Sequence, residues 1–291
     1  VKRLVALAAL ACCAWPVLAQ DRLVIATPDV VWLEAGEVWL GADESDLRYA
    51  AELCRQDLEV PLPAIDRSGC GVERFLPEYP RRRAFVGAFG IDRREVTNAA
   101  YRACVRAGAC APSIVPEGGV LGRADHPVVG VRWADAVSFC AWRGGRLPTE
   151  AEWEKAARGD DETRRFPWGR AYDSHLANHG RSPLRTDPID GFLESAPVGS
   201  FPDGRSPFGL DDMAGNVWEW TSEPPAMPFE MGFDASAFRA IRGGSYAHPI
   251  TSLRVTARSW ATLDDARADL GLRCAYDRSA YDRAAVAPSD R

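Results

Sequence analysis

The sequence predicts an irregular, loop-rich α+β fold with short helices. Three observations predict it. Ten tryptophans and 25 glycines among 291 residues describe turns pinned by large aromatics rather than a helical bundle. Three segments carry a helical period, and each is short. Residues 160–277 read as turns and short strands, rich in Gly, Pro, Asp and Asn. At 46% hydrophobic and 26% charged, the balance is globular. The length suits one large domain or two small ones.

The first element is expected to be a secretion signal over residues 1–19. Lys2 and Arg3 form a basic start, Leu4 to Ala14 an apolar stretch, and Val17 and Ala19 the small residues before a cut at Gln20. Cys12 in "ALAC" offers a lipoprotein alternative, and membrane attachment is expected only then. Removal of this leader makes the formal net charge of −6 two units more negative. Export to the periplasm or beyond is the expected localisation. After residue 20 no run approaches the roughly 18 apolar residues of a membrane span. The arginines are scattered among more numerous acids, so no nucleic-acid partner is expected.

Residues 20–277 are expected to form one domain. Val30 to Leu40 alternates as a strand, a turn at Gly36 and a second strand. Residues 41–83 are polar and proline-bearing, an excursion clipped by its own cysteines. Phe85 to Arg93 reads as a strand. A first helix starts at Thr97, which can cap it, with Ala100, Tyr101, Cys104 and Val105 on one face and Gly108 at its end. A second spans "WADAVSFCAW", with Trp133, Val137, Cys140 and Ala141 on one face. A third follows Thr149, whose capping box uses Glu152, and stops at Gly159. The tail 278–291 is polar and expected to fray.

Cys54, Cys70, Cys104, Cys110, Cys140 and Cys274 remain after the leader. An even count in an exported chain favours three bridges, although six cysteines allow about 15 pairings. Chain order suggests Cys54–Cys70 and Cys104–Cys110 as local clips. Cys140–Cys274 would then close the long loop, with about 4–5 kcal/mol of unfolded-state entropy removed.

The blocks "EVTNAAYRACV", "HPVVGVRWADAVSFCAWRGGRLPTEAEWEKAARG", "FPWG", "GLDDMAGNVWEWTSE", "RGGSY" and "LGLRCA" occur in this order. Together they resemble the formylglycine-generating enzyme, or sulfatase-modifying factor, family over Val30 to Tyr276. The resemblance implies a C-type lectin-like fold with small antiparallel sheets, braced by one or two calcium ions. It implies the Cys140–Cys274 bridge. It implies one calcium loop from the Asp212 and Glu219 carboxylates with the Gly215 and Val217 carbonyls. A second uses Asn178, the His179 carbonyl, Asp190 and the Phe192 carbonyl. Such oxygen sets suit a hard cation.

For members that oxidise a sulfatase cysteine, the resemblance implies a pair of cysteines just after "GGSY" whose thiolates bind copper(I). Thiolates select that soft ion. Here Ser245 to Arg258 contains no sulfur, and His248 stands in the place of the first cysteine. No copper and no catalytic residue are therefore expected. Ser245, Tyr246, His248, Arg254 and Arg258 remain as groove residues. Arg254 and Arg258 are expected on one strand face, as an anion grip or as structural ion pairs. No acid stands in an evident orienting role beside Ser245 and His248. The expected function is an exported binding or accessory module of the cell envelope, with a peptide, glycan or envelope protein as partner. The alternative is an oxidoreductase or maturation factor using the same cleft. Histidine-ligated iron is disfavoured, since only His126, His175, His179 and His248 are present.

Overall fold

The structure is a computed structural model that describes residues 29–57, 67–181, 185–225 and 234–279. The expected secretion signal, Cys12 and the tail beyond residue 279 lie outside the described residues, as does the 58–66 part of the clipped excursion.

Four helices are described: α1 Glu44–Asp57, α2 Asn98–Arg106, α3 Trp133–Trp142 and α4 Glu150–Arg158. The strands are β1 Val30–Leu33, β2 Gly36–Leu40, β3 Arg82–Val86, β4 Phe89–Asp92, β5 Gly180–Arg181, β6 Arg185–Thr186, β7 Trp218–Trp220, β8 Phe238–Arg242, β9 Arg258–Thr262, β10 Leu270–Gly271 and β11 Ala275–Tyr276. They form a sheet β1-β4-β11, a sheet β10-β7-β8-β9, and the pairs β2-β3 and β5-β6. All pairings are antiparallel except β10 with β7. No helix among the described residues is long and apolar enough to cross a membrane.

The helix ends follow their local chemistry. Thr97 caps α2 by accepting from Ala100 N–H. In α4 the Thr149 hydroxyl accepts from Glu152 N–H at 3.1 Å and the Glu152 carboxylate accepts from Thr149 N–H at 2.9 Å. This closes the expected box and satisfies two donors the helix cannot.

Four expectations need correction. β1 and β2 do not pair as a hairpin, because β1 joins β4 and β2 joins β3. The strand expected over Phe85 to Arg93 is two strands that break at Gly87–Ala88 and enter different sheets. The clipped excursion contains α1, whose Leu47, Ala50, Ala51 and Cys54 pack as one buried stripe. On α3 the buried face is Ala136, Phe139 and Cys140, while Ala141 faces solvent.

The structure carries all three bridges: Cys54–Cys70, Cys104–Cys110 and Cys140–Cys274, with Cα atoms 5.5, 5.4 and 5.5 Å apart. The last ties α3 to the chain just before β11, inside a core with Tyr101, Phe139, Trp220, Leu272 and Tyr276. A second core gathers Phe89, Ile91, Trp153, Met213 and Val255. Trp153 reaches it from α4, so the helix that the capping box starts also supports the loop after β8.

Candidate functional site

β8 runs into Gly243 and Gly244, both at positive φ (98° and 79°). A Cβ on Gly244 would lie 2.7 Å from the Ser252 hydroxyl and 2.9 Å from its carbonyl. Only glycine fits this reversal. The turn delivers Ser245, Tyr246 and His248 beside Asp269, which immediately precedes β10.

Ser245 is fully buried. Its hydroxyl lies 2.7 Å from His248 Nδ1 and donates to Asp269 Oδ2 at 3.0 Å. His248 Nδ1 is itself 3.1 Å from Asp269 Oδ2. Arg267 donates to both Asp269 oxygens, at 2.9 and 3.1 Å. Burial alone would raise Asp269, but the bonds from His248 and Arg267 outweigh it. They hold the carboxyl well below the usual carboxylate range. An acid does therefore orient this pair, contrary to the sequence expectation.

The cluster is nonetheless not a nucleophile relay. A relay needs serine on one imidazole nitrogen and the acid on the other. Here both meet Nδ1, and the serine proton goes to the acid. Ser245 acts as a brace. The His248 ring packs edge-on to Trp218, with centroids 5.4 Å apart. Tyr246 donates to the Ala268 carbonyl at 3.1 Å. Burial, aided by Asp269 and Glu194, pushes its hydroxyl up to about 12.

Arg254 and Arg258 do not share a face in this groove. Arg254 lies outside β9 and grips Glu78 with two 2.7 Å bonds, while Thr256 also donates to that carboxylate. Arg258 opens β9 and faces α4, 3.8 Å from Glu150 and 3.7 Å from Glu154. The intervening residues 255–257 form a turn, with Ala257 N–H donating to the Arg254 carbonyl at 2.9 Å, rather than a strand. Both arginines are structural ion-pair partners.

The set expected from Asn178, His179, Asp190 and Phe192 is brought together. Asp190 accepts from His179 N–H at 2.7 Å and from Phe192 N–H at 2.9 Å. Burial raises Asp190 against those bonds. Asn178 donates to the Glu194 carbonyl at 2.8 Å, while its buried Oδ1 has no partner among the described residues. An orphaned carbonyl oxygen one residue from a carboxylate's anchor fits a hard cation. The His179 ring is occupied at Gly180 and Tyr172, so this residue could offer its carbonyl and not its imidazole.

The set expected from Asp212, Gly215, Val217 and Glu219 is more crowded. Asp212 accepts from Gly199 N–H at 2.6 Å and has a φ of 56°. Burial pushes it up to about 6. Glu219 is fully buried, gripped by Arg273 through two 2.7 Å bonds and by the Trp153 indole N–H at 2.7 Å. Glu95, which no sequence motif flagged as a site residue, accepts from Asn216 and from Val217 N–H. Burial first, then Asp212 and Glu219, raise it well above its usual range. Three buried acids thus face one arginine, a negative excess that suits a cation. The Gly215 backbone abuts Asn178, where a Cβ would sit 2.1 Å from the Asn178 carbonyl, so the two sets share a wall. Among the described residues no three His, Cys, Asp or Glu side chains form a metal-holding group, so either set would need backbone carbonyls to hold a cation.

Comparison of the sequence with known proteins finds a matching family. A family model described as the sulfatase-modifying factor enzyme 1-like domain matches residues 17–278. The formylglycine-generating enzyme of Mus musculus is 41% identical over 177 residues, 56% of this chain and 47% of that protein. Hercynine oxygenase of Mycolicibacterium thermoresistibile is 34% identical over 265 residues, 82% of this chain and 56% of that protein. The chain spans about half the length of the curated relatives it matches. In fold it is similar to PvdO from Pseudomonas aeruginosa, with TM-score 0.60 at 24% identity, covering 85% of this chain and 94% of that one.

Proposed function

The chain belongs to the sulfatase-modifying factor family, and from that premise we propose an exported, calcium-braced binding or accessory protein of the cell envelope. Its groove takes a peptide, glycan or envelope protein beneath the Ser245–His248 loop. It does not generate formylglycine by the copper–thiolate route.

One observation carries this reading. All six described cysteines are in disulfides, and residues 245–258 contain no cysteine. Copper(I) needs thiolates that this groove does not supply. The orphaned Asn178 oxygen and the acid excess at Glu95, Asp212 and Glu219 support calcium as a brace. A braced frame with glycine-hinged loops suits ligand binding. The test is to incubate purified protein with a sulfatase peptide, copper and oxygen. The peptide cysteine should remain unconverted by mass spectrometry, and a formylglycine product would overturn the reading.

A second reading is an enzyme that runs different chemistry in the same cleft. Two findings favour it: the carboxylate-oriented imidazole at His248 and the likeness to a protein named as an oxygenase. Elemental analysis separates the two. Calcium alone supports binding, and stoichiometric iron or copper supports the enzyme.

A further inference from the structure

We infer that His248 is a proton-accepting centre, held by Asp269 as an Nδ1–H imidazole and open at Nε2 to a substrate bearing a dissociable hydroxyl. This rests on the groove beneath the Ser245–His248 loop being the ligand site.

The Ser245 proton goes to Asp269, so the nitrogen that faces both must carry its own proton. That leaves the lone pair on Nε2. Nε2 makes no hydrogen bond with any described residue, and the His248 side chain is 23% exposed. Trp218 lies edge-on to the ring, and the adjoining Tyr246 and Ala247 belong to an apolar cluster with Val115, Leu121, Val129 and Val217. One basic nitrogen beside such a wall selects an apolar or aromatic molecule with a hydroxyl.

In the step, the substrate O–H bond breaks and an N–H bond forms at Nε2. The electron pair stays on oxygen, and the imidazolium charge faces Asp269. The proton returns to product or to water, and no oxidant is needed. The charged groups facing the ring are Asp269 and Arg267, while Glu194 acts on Tyr246 from beyond. His248 is therefore the proton carrier, and Asp269 a positioning residue.

Diethyl pyrocarbonate tests this, because it acylates only unprotonated, accessible imidazole nitrogen. Rates across pH, assigned to each histidine by peptide mass spectrometry, yield the His248 midpoint. His248 should react, while His126 and His179, each 1% exposed, stay slow. Asp269→Asn should lower the midpoint and Arg267→Gln should raise it, each by about one pH unit. Should Asp269→Asn not fold, Arg267→Gln decides. An unreactive His248, or a midpoint that no folded variant moves, overturns the inference.

4-Nitrophenol reads the substrate class. Excess phenolate absorbance should appear with the protein at a pH where the free phenol is mostly protonated, and vanish in His248→Gln. No excess overturns the hydroxyl assignment. These measurements need no envelope partner and no sulfatase peptide, so they fail independently of the binding reading.

Discussion

Arg254 is 2% exposed, stacks over Phe75, and has two guanidinium nitrogens on the buried Glu78. Replacing it with leucine would leave a carboxylate buried without its cation. We expect Arg254→Leu to lose about 3–5 kcal/mol in urea unfolding. A loss within the range of a surface substitution would mean that Glu78 finds solvent or another partner. Asp269 makes a pH prediction of opposite character. Its folded value lies below the unfolded one, so its contribution is present above the ordinary carboxylate range. That contribution drains away as pH falls through the folded value. Asp269→Asn should therefore flatten the acid limb of a stability–pH curve, and an unchanged limb would show that the His248 and Arg267 bonds add nothing. Ser245 and His248 could be singled out from the sequence because they share one loop. Asp269 could not, since it reaches them only through the parallel pairing of β10 with β7.

The helices α2 and α4 were legible because their start signals are local. A hydroxyl at Thr97 or Thr149 reaches backbone N–H groups three residues on, whatever the rest of the chain does. Thr149→Ala should cost about 1 kcal/mol. Its effect extends further than the helix end, because α4 carries Trp153 to Glu219 and Glu154 to Arg242 and Arg158. Thermal melts of the variant check the magnitude. α1 shows the opposite case. Its Leu47, Ala50, Ala51 and Cys54 stripe has helical spacing, but a polar composition and a nearby cysteine pair make it read as part of a clipped excursion. Its tertiary partners are Cys70 and Phe75, brought in by chain that follows it. The hairpin wrongly expected of β1 and β2 has a similar cause. Alternation announces a strand, but not which neighbour it takes.

For the whole molecule, the long Cys140–Cys274 bridge and the two proposed calcium sets act on the same assembly. The bridge closes 134 residues of chain around α3, α4, β7 and β8. If calcium braces the loops, chelated protein should melt lower. Calcium at about 100 times its dissociation constant should restore about 2.7 kcal/mol. Identical melting with and without chelator would remove the brace. The general outline was available from order and composition alone: short helices, a turn-rich second half, the family's motif blocks and the loss of sulfur after Ser245. These depend on neighbours along the chain or on residue identity, and no folding is needed to read them. The tertiary structure alone decided that Asp269 orients His248, that Arg254 and Arg258 turn away to separate acids, and that Glu95 joins Asp212 and Glu219. Each of those outcomes depends on which distant segment supplies the opposing charge in a space where water cannot, and linear spacing holds no record of that.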